Sequence, residues 1–290
     1  MESVLNQTYT AWEHIIVNDG GQIEEVKRLE ESQAQRYRGR SRILSHSESL
    51  GMEVASNNGI RESSGKFIVI HDDDDSWDPD FLMECIKFLD NHNPSLLHNQ
   101  QYCGVVTQST RVLEQIVDNN VITVSRDPFN DWVKSISLFR LLSSNVFPPI
   151  SFLFKRSLVE EIGYFREDMP VLGDWDFHIR ACLKYEIGVI QAPLANYHHR
   201  LSSPSSVYSN TVVDADYKHR QYENLYRNQL LREDLSNGRI GIGIIMALSH
   251  HLETIASAMH KIAIFKELIF NNRFSRLAKK ALKIGSNKQP

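Results

Sequence analysis

Along the first third of the chain, short apolar runs alternate with stripes at helical spacing. Glu13–Val17 (Glu-His-Ile-Ile-Val) predicts a buried strand, stopped by the turn signal Asn18-Asp19-Gly20-Gly21. Gln22–Ala34 is polar with helical spacing, and Ile43–Leu44 is weakly strand-like. Val54–Ser64 predicts a helix closed by Gly65. Lys66–His71 (Lys-Phe-Ile-Val-Ile-His) is the strongest strand signal and runs straight into Asp72-Asp73-Asp74-Asp75. Pro79–Asp90 predicts a helix, with proline in its first turn and Phe81, Leu82, Cys85, Ile86 and Leu89 on one face.

Further on, Gly104–Gln108, Val121–Ser125 and Gly188–Ala192 read as strands. Pro148–Phe154 leads into a helix over Arg156–Ile162, and Gly173-Asp174-Trp175-Asp176 opens another that runs through Tyr185. Leu201–Ser209 is a Ser/Pro loop, and nearly everything after Val213 is helical in pattern. The alternation predicts an α/β fold with a mostly parallel, Rossmann-like sheet and helices on both faces. That domain covers 1–210, and a C-terminal helical extension covers 211–290. Ligands bind such sheets beyond the carboxyl ends of the strands. Asp19 and Asp72–Asp75 both stand there.

Composition adds limits. With 290 residues, 41% hydrophobic and 23% charged, the chain has ordinary globular composition and can bury a full core. The net charge of −4 is uneven: residues 261–290 hold eight Lys and Arg against Glu267 alone. No nucleic-acid motif accompanies that charge, so nucleic acid is not an expected partner. Phe274, Leu277, Ala278, Ala281 and Leu282 stand at helical spacing among these basic residues. Such a tail can lie on an anionic membrane or pack on the domain. Cys85, Cys103 and Cys182 have no paired spacing, which argues against a zinc site and suits a reducing compartment. The start lacks a leader pattern, and the longest apolar run, Ile240–Leu248, is too short to span a bilayer. A cytoplasmic protein is expected, with the tail as a peripheral contact to the inner face of the membrane.

Four adjacent carboxylates repel one another and ionise reluctantly without a counter-cation. Mn²⁺ or Mg²⁺ relieves this, typically with one or two carboxylates plus substrate phosphates. The alternative is a solvated, inert acidic turn. A calcium-binding EF-hand loop fails, because its sixth position is Trp77 and its twelfth Met83. No Gly-rich phosphate loop is present, which leaves a nucleotidyltransferase unsupported.

Four stretches in order resemble the family-2 glycosyltransferases of the inverting GT-A fold. They are Ser3–Tyr9 with Trp12–Gly20; Ala55–Ile60 with Gly65–Ile68; Asp72–Asp75 with Trp77, Pro79 and Leu82; and Gly173–Asp176 with Arg180 and Pro193–Tyr197. The resemblance covers Ser3 to Arg200. It implies transfer of a sugar from a nucleotide-diphosphate donor, by default a UDP-sugar, to a hydroxyl of a glycan or lipid-linked acceptor in cell-surface polysaccharide or glycoconjugate synthesis. It also implies that Asp19 contacts the base or ribose, and that Asn57 lies beside the donor pocket. Asp72 and Asp74 correspond to the Asp-x-Asp pair. Asp74 is then the first candidate for metal ligand, and Asp72 or Asp73 lies nearer the ribose. Asp75 supports the turn. Asp174 corresponds to the general base, with N-capping of its helix as the plain alternative and Asp176 as a competitor.

Two departures accompany the resemblance. Gly173 stands where the family usually has Glu, which puts an acceptor-side contact in doubt. His198-His199-Arg200 is out of register with the family's Arg and His, leaving His198 as a candidate metal or diphosphate ligand and Arg200 as a candidate phosphate clamp. The family also begins with a strand and turn ahead of the segment matching Ser3. The chain as written starts after them, so weakened donor binding or stability is expected. Acceptor choice is expected to lie in Gln108–Pro149 and the helical tail. The competing class is a non-catalytic module of the same fold that binds a glycan or a partner enzyme.

Overall fold

The computed structural model describes residues 1–91, 101–117, 120–201 and 216–271. After the short helix α1 (Glu2–Leu5), the Ile-Ile-Val run forms β1 (His14–Asp19), paired in parallel with β2 (Ser41–His46). A parallel pair needs a crossover. Helices α2 (Ile23–Ser32) and α3 (Ala34–Tyr37) supply it. The register sets Asp19 opposite His46, at the carboxyl end of both strands.

Helix α4 (Met52–Glu62) starts after Gly51, whose φ of 100° suits glycine. Its buried stripe is Glu53, Asn57 and Ile60, spaced i, i+4, i+7. The helix closes at Ser63 in extended conformation, a correction to the expected stop at Gly65. The reason is local. The Glu13 carboxylate accepts the backbone N–H groups of Ser64 (2.5 Å) and Gly65 (2.7 Å) and draws the chain out of the helix.

The main sheet holds six described strands: β3 (Phe67–Ile68), β4 (Ser76–Trp77), β5 (Tyr102–Val117), β6 (Asn120–Pro128), β7 (Phe152–Lys155) and β8 (Glu186–Leu201). Their order is β3-β7-β5-β8-β4, with β6 paired to β5. The remaining helices are α5 (Phe81–Asn91), α6 (Leu138–Ser143), α7 (Arg156–Ile162), α8 (Gly173–Lys184), α9 (Asp216–Ser236) and α10 (Ile242–Asn271). The α/β class holds, but the expected mostly parallel pairing is corrected to a mixed sheet. Only β5–β8 is parallel within it. The short β5–β6 connection enforces an antiparallel hairpin, and β7 runs opposite to both β3 and β5. The predicted strand over Lys66–His71 makes ladder bonds only at Phe67 and Ile68. Beyond them the chain leaves the ladder to build the acidic turn.

A hydrophobic core including Trp77, Phe81, Leu82, Cys85, Val105, Ile150 and Leu153 packs beneath that turn. Trp77 stacks on Phe81 at 4.7 Å between ring centroids, meets the His71 ring edge-on at 4.4 Å, and donates from Nε1 to the Ile150 carbonyl at 2.8 Å. The backbone after Asp75 is thereby tied to the centre of the domain.

Two compact units are present, Met1–Gln229 and Leu230–Pro290, the division falling within α9. Every candidate site residue lies in the first. In the second, Ile242–Ala263 has a mean hydropathy of 1.2 and is long and apolar enough to cross a membrane by length and composition. This corrects the expectation that the apolar stretch ends at Leu248: Ser249, His250, His251 and Glu253 interrupt it without ending the helix. The basic amphipathic stretch Phe274–Leu282 and the Ser/Pro loop after Leu201 lie outside the described residues.

Candidate active site

The acidic run forms a turn between β3 and β4, closed by the Asp75 N–H on the Asp72 carbonyl at 3.2 Å. Asp73 is exposed, Asp72 and Asp74 are half-buried, and Asp75 is buried. The Asp75 Oδ1 accepts the backbone N–H of His198 at 2.8 Å, fastening the turn to β8. This is the supporting role expected of Asp75. Its Oδ2 is buried with no hydrogen-bond partner. Burial, and then the negative charge of Asp72, push the Asp75 carboxyl up to about 9. Asp72 is pushed up to about 7, by burial first and then by Asp74, Asp73, Asp174 and Glu53. An anionic site that cannot hold its own charge fits a hard divalent cation with oxygen ligands. Asp72 and Asp74 fit that role, the rest of the coordination shell falling to phosphate oxygens. Among the described residues, no three His, Cys, Asp or Glu side chains converge as a preformed metal cage.

Asp174 sits in the first turn of α8. The N-cap is Leu172, at φ 67° and without a side-chain cap, so Asp174 does not cap the helix. Its Oδ2 instead accepts Asn145 Nδ2 at 2.7 Å, and the carboxylate also takes the N–H groups of Trp175 and of Asp174 itself. Burial raises its pKa, while these donors oppose the rise. Asn145 is in turn oriented by His178, whose Nδ1 lies 3.1 Å from Asn145 Oδ1. Because the amide nitrogen faces a carboxylate, Oδ1 is the acceptor here and His178 Nδ1 carries the proton. Burial pushes His178 down to about 3, so it stays neutral. Asp176 is removed from contention as base. It is buried between Arg180 Nε at 2.7 Å and the Tyr226 hydroxyl at 2.9 Å.

Asp72 and Asp174 are thus brought into one electrostatic cluster, although they lie far apart in sequence. Two members of it escaped the sequence reading. The Tyr197 hydroxyl is pushed up by burial and then by Asp174, Asp75, Asp72 and Asp74. Glu53, only 6% exposed, is pushed up to about 7 by burial and by Asp174. A glutamate in the buried stripe of α4 was the available signal. It was missed because the predicted helix began at Val54, two residues after the observed start at Met52.

Other candidates are held elsewhere. Asp19 accepts His46 Nδ1 (2.7 Å) and the Leu50 N–H (2.9 Å) on one oxygen, and Ser49 Oγ (2.8 Å) and the Gly51 N–H (2.9 Å) on the other. Four donors hold its pKa down to about 2 despite partial burial, and its acceptor positions are filled from within the chain. Direct contact with a base or ribose is therefore corrected to a role in shaping the β2–α4 loop. Asn57 is fully enclosed. Its Nδ2 donates to the Phe165 carbonyl and to Glu167 Oε1, both at 2.9 Å, and its Oδ1 accepts the Phe165 N–H at 3.0 Å. It clamps α4 to the loop before α8. The His198 ring is engaged on both nitrogens, Nδ1 by Glu114 Oε1 at 2.7 Å and Nε2 by Ser76 Oγ at 3.0 Å. No ring nitrogen is left to ligate a metal in this arrangement. Arg200 is anchored inward, with Nε 3.6 Å from Glu114 Oε2. In the segment expected to choose the acceptor, Gln108, Ser109, Arg126 and Asp131 line part of a cavity of about 290 Å³.

This fold, with an acidic turn at the sheet rim and a carboxylate opening a helix beside it, is that of a GT-A transferase. The profile of glycosyl transferase family 2 matches residues 1–163. The chain belongs to that family. It is 27% identical over 223 residues to the uncharacterized glycosyltransferase YwdF of Bacillus subtilis, covering 77% of this chain and 74% of the relative. The putative glycosyltransferase EpsH of the same organism is 24% identical over 221 residues, covering 74% and 60%. Among solved structures, the fold resembles the mannosyltransferase PcManGT of Pyrobaculum calidifontis in complex with GDP-Man and Mn²⁺. The TM-score is 0.53 at 17% identity, covering 97% of this chain and 75% of that one. S. aureus TarS 1-349 in complex with UDP-GlcNAc gives 0.53 at 17% identity, but the alignment covers 70% of this chain and only 54% of that one.

Proposed function

We propose that this glycosyltransferase moves a sugar from a nucleotide-diphosphate donor to a hydroxyl acceptor with inversion, using Asp174 as base and Asp72 and Asp74 at the diphosphate. The observation that supports it most is the convergence of the Asp72–Asp75 turn and Asp174 in one partly buried anionic cluster. A divalent cation held by Asp72 and Asp74 would offset the charge of the departing diphosphate.

A sugar hydroxyl is a weak nucleophile. Asp174 accepts its proton as the oxygen closes on the anomeric carbon, and the sugar–phosphate bond breaks on the opposite face. Such attack inverts the centre in one step and needs no covalent intermediate. Asn145 and the first-turn N–H groups of α8 favour the ionised form of Asp174 against the effect of its burial. Asp19 serves the base and ribose indirectly, by fixing the backbone of Ser49–Gly51. Asp73, the exposed member, faces the ribose. UDP-sugars are the first donors to test, because a related fold binds UDP-GlcNAc, and GDP-sugars the second.

The acceptor is a glycan or a lipid-linked saccharide on the path to a surface polysaccharide. The exposed apolar surface of α10 and the basic residues after it support a position for the protein against the inner face of an anionic membrane. Failure to co-sediment with phosphatidylglycerol vesicles at low salt would remove that placement. The central experiment is a donor screen. The full chain with Mn²⁺ is incubated with UDP- and GDP-sugars, and release of nucleoside diphosphate is followed. Release from one donor class, lost in Asp74→Ala, is expected; none from any donor opposes the enzyme assignment and favours a binding module.

A further inference from the structure

The first turn of α8 has no cap of its own. Leu172 occupies the N-cap position in left-handed conformation and offers no side-chain acceptor. The Asp174 carboxylate serves the N–H groups of residues 174 and 175, which leaves the Gly173 N–H, and an unpaired donor there loosens the turn that carries Asp174. The missing acceptor comes from another helix. Glu53 reaches across from α4, and its carboxyl packs against the Gly173 backbone, where the Gly173 N–H favours its ionised form. It fits only because residue 173 has no side chain. A Cβ built on Gly173 would stand 2.5 Å from Glu53 Cγ and 2.6 Å from its Oε1. The two positions share one volume, and the carboxyl from α4 fills it.

We propose that Glu53 is the positioning residue of the base: seated on the bare face of Gly173, it caps α8 from outside and fixes Asp174 against the acidic turn. Four observations agree. Glu53 is only 6% exposed, so it is not simply solvated there. It lies in the same buried stripe as Asn57, which clamps α4 to the Phe165 backbone and so holds the two helices in register. Asp174 contributes to the upward shift of Glu53, and Glu53 to that of Asp72, which puts the cap within the field of both functional carboxylates. Burial raises the Glu53 carboxyl to about 7, so near neutral pH it is partly protonated and adds less than a full charge beside the base. In this role Glu53 acts through α8. The departure from the family pattern at Gly173 is thereby matched by a carboxyl supplied from elsewhere in the chain.

The proposal rests on Asp174 being the base, and the experiment separates the two. Full-length Glu53→Ala, Glu53→Gln, Gly173→Ala and Asp174→Asn are compared with the parent. Donor turnover is measured with Mn²⁺ and the donor that the screen identifies, and crystal structures are determined for Glu53→Ala and Gly173→Ala. Gly173→Ala displaces the Glu53 carboxyl without deleting it, so it stands in if Glu53→Ala does not fold. Expected are a kcat loss of tenfold or more in Glu53→Ala and Gly173→Ala with donor KM changed less than twofold, recovery toward parent kcat in Glu53→Gln, and loss of the Asn145–Asp174 bond in the crystals. Asp174 unmoved, with parent kcat in both alanine variants, would overturn the positioning role while leaving the base in place. Parent kcat in Asp174→Asn would overturn the base itself. The crystal structures decide the positioning role whether or not turnover is detected.

Discussion

Replacing Asn145 with alanine removes the one side-chain donor to Asp174 among the described residues. The bond is short, at 2.7 Å, and its acceptor is the group assigned to take a proton. A hydrogen bond to a charged group contributes about 1.5–3 kcal/mol. Lost from the ionised form alone, this raises the carboxyl by about 1–2 pKa units, at about 1.4 kcal/mol per unit. Asp174 is half-buried, so water offsets part of the loss and the lower end is expected. The sign follows from the role. A base must be deprotonated, so raising its pKa moves the acid limb of the kcat–pH profile upward by about 1 unit, with activity recovering within a few-fold well above it. Profiles of donor turnover for Asn145→Ala and the parent measure this directly. A lower rate at every pH with an unmoved midpoint would refute the reasoning, because Asn145 would then shape the site without tuning the base.

Other consequences concern the acidic turn and its support. Asp74→Ala should weaken Mn²⁺-dependent nucleotide binding, read by calorimetry, by about tenfold or more, as expected for loss of a metal ligand or its orienting shell; unchanged affinity would move the ligand role to Asp72 alone. Mn²⁺ affinity should fall with pH below about 7, because the proton retained on Asp72 must leave before a metal binds. In the metal-free protein the same raised pKa means that ionising Asp72 destabilises the fold as pH rises toward about 7. An Mn²⁺ titration by electron paramagnetic resonance that gave equal affinity at pH 5.5 and 8 would contradict both statements. Trp77→Phe keeps the ring stack but leaves the buried Ile150 carbonyl without its 2.8 Å donor, and should cost about 1–3 kcal/mol in denaturant unfolding.

Much of this was legible from local pattern. The Ile-Ile-Val run, the apolar stripe of α5, the start of α7 and the Gly-Asp-Trp-Asp opening of α8 each carry their own signal, and the structure places helices and a strand there. Asp72–Asp75 and Asp174 stood out as residue types with a stated chemistry. Partner identity was less accessible. Asn57 and His198 were candidates by their positions in the family resemblance, yet their partners, Phe165 and Glu114, lie far along the chain. Asn145 lies in a segment with no assignable pattern, and only folding brings it to Asp174. Ladder direction was also out of reach, because β7 and β8 approach β5 from opposite senses for reasons set by the connections. Glu53 is the instructive case, since its spacing with Asn57 and Ile60 was visible and only a two-residue error in the helix start concealed it.

The central claim, that Asp174 is the base of a nucleotide-sugar transferase, meets its most direct test in Asp174→Asn. The substitution keeps the shape and one acceptor oxygen while removing the proton acceptor. Turnover of the identified donor with Mn²⁺ is measured beside the parent, with nucleotide affinity recorded on the same samples. A loss of about 10²–10⁴-fold in kcat with nucleotide affinity unchanged is predicted. Turnover within a few-fold of the parent would contradict the account.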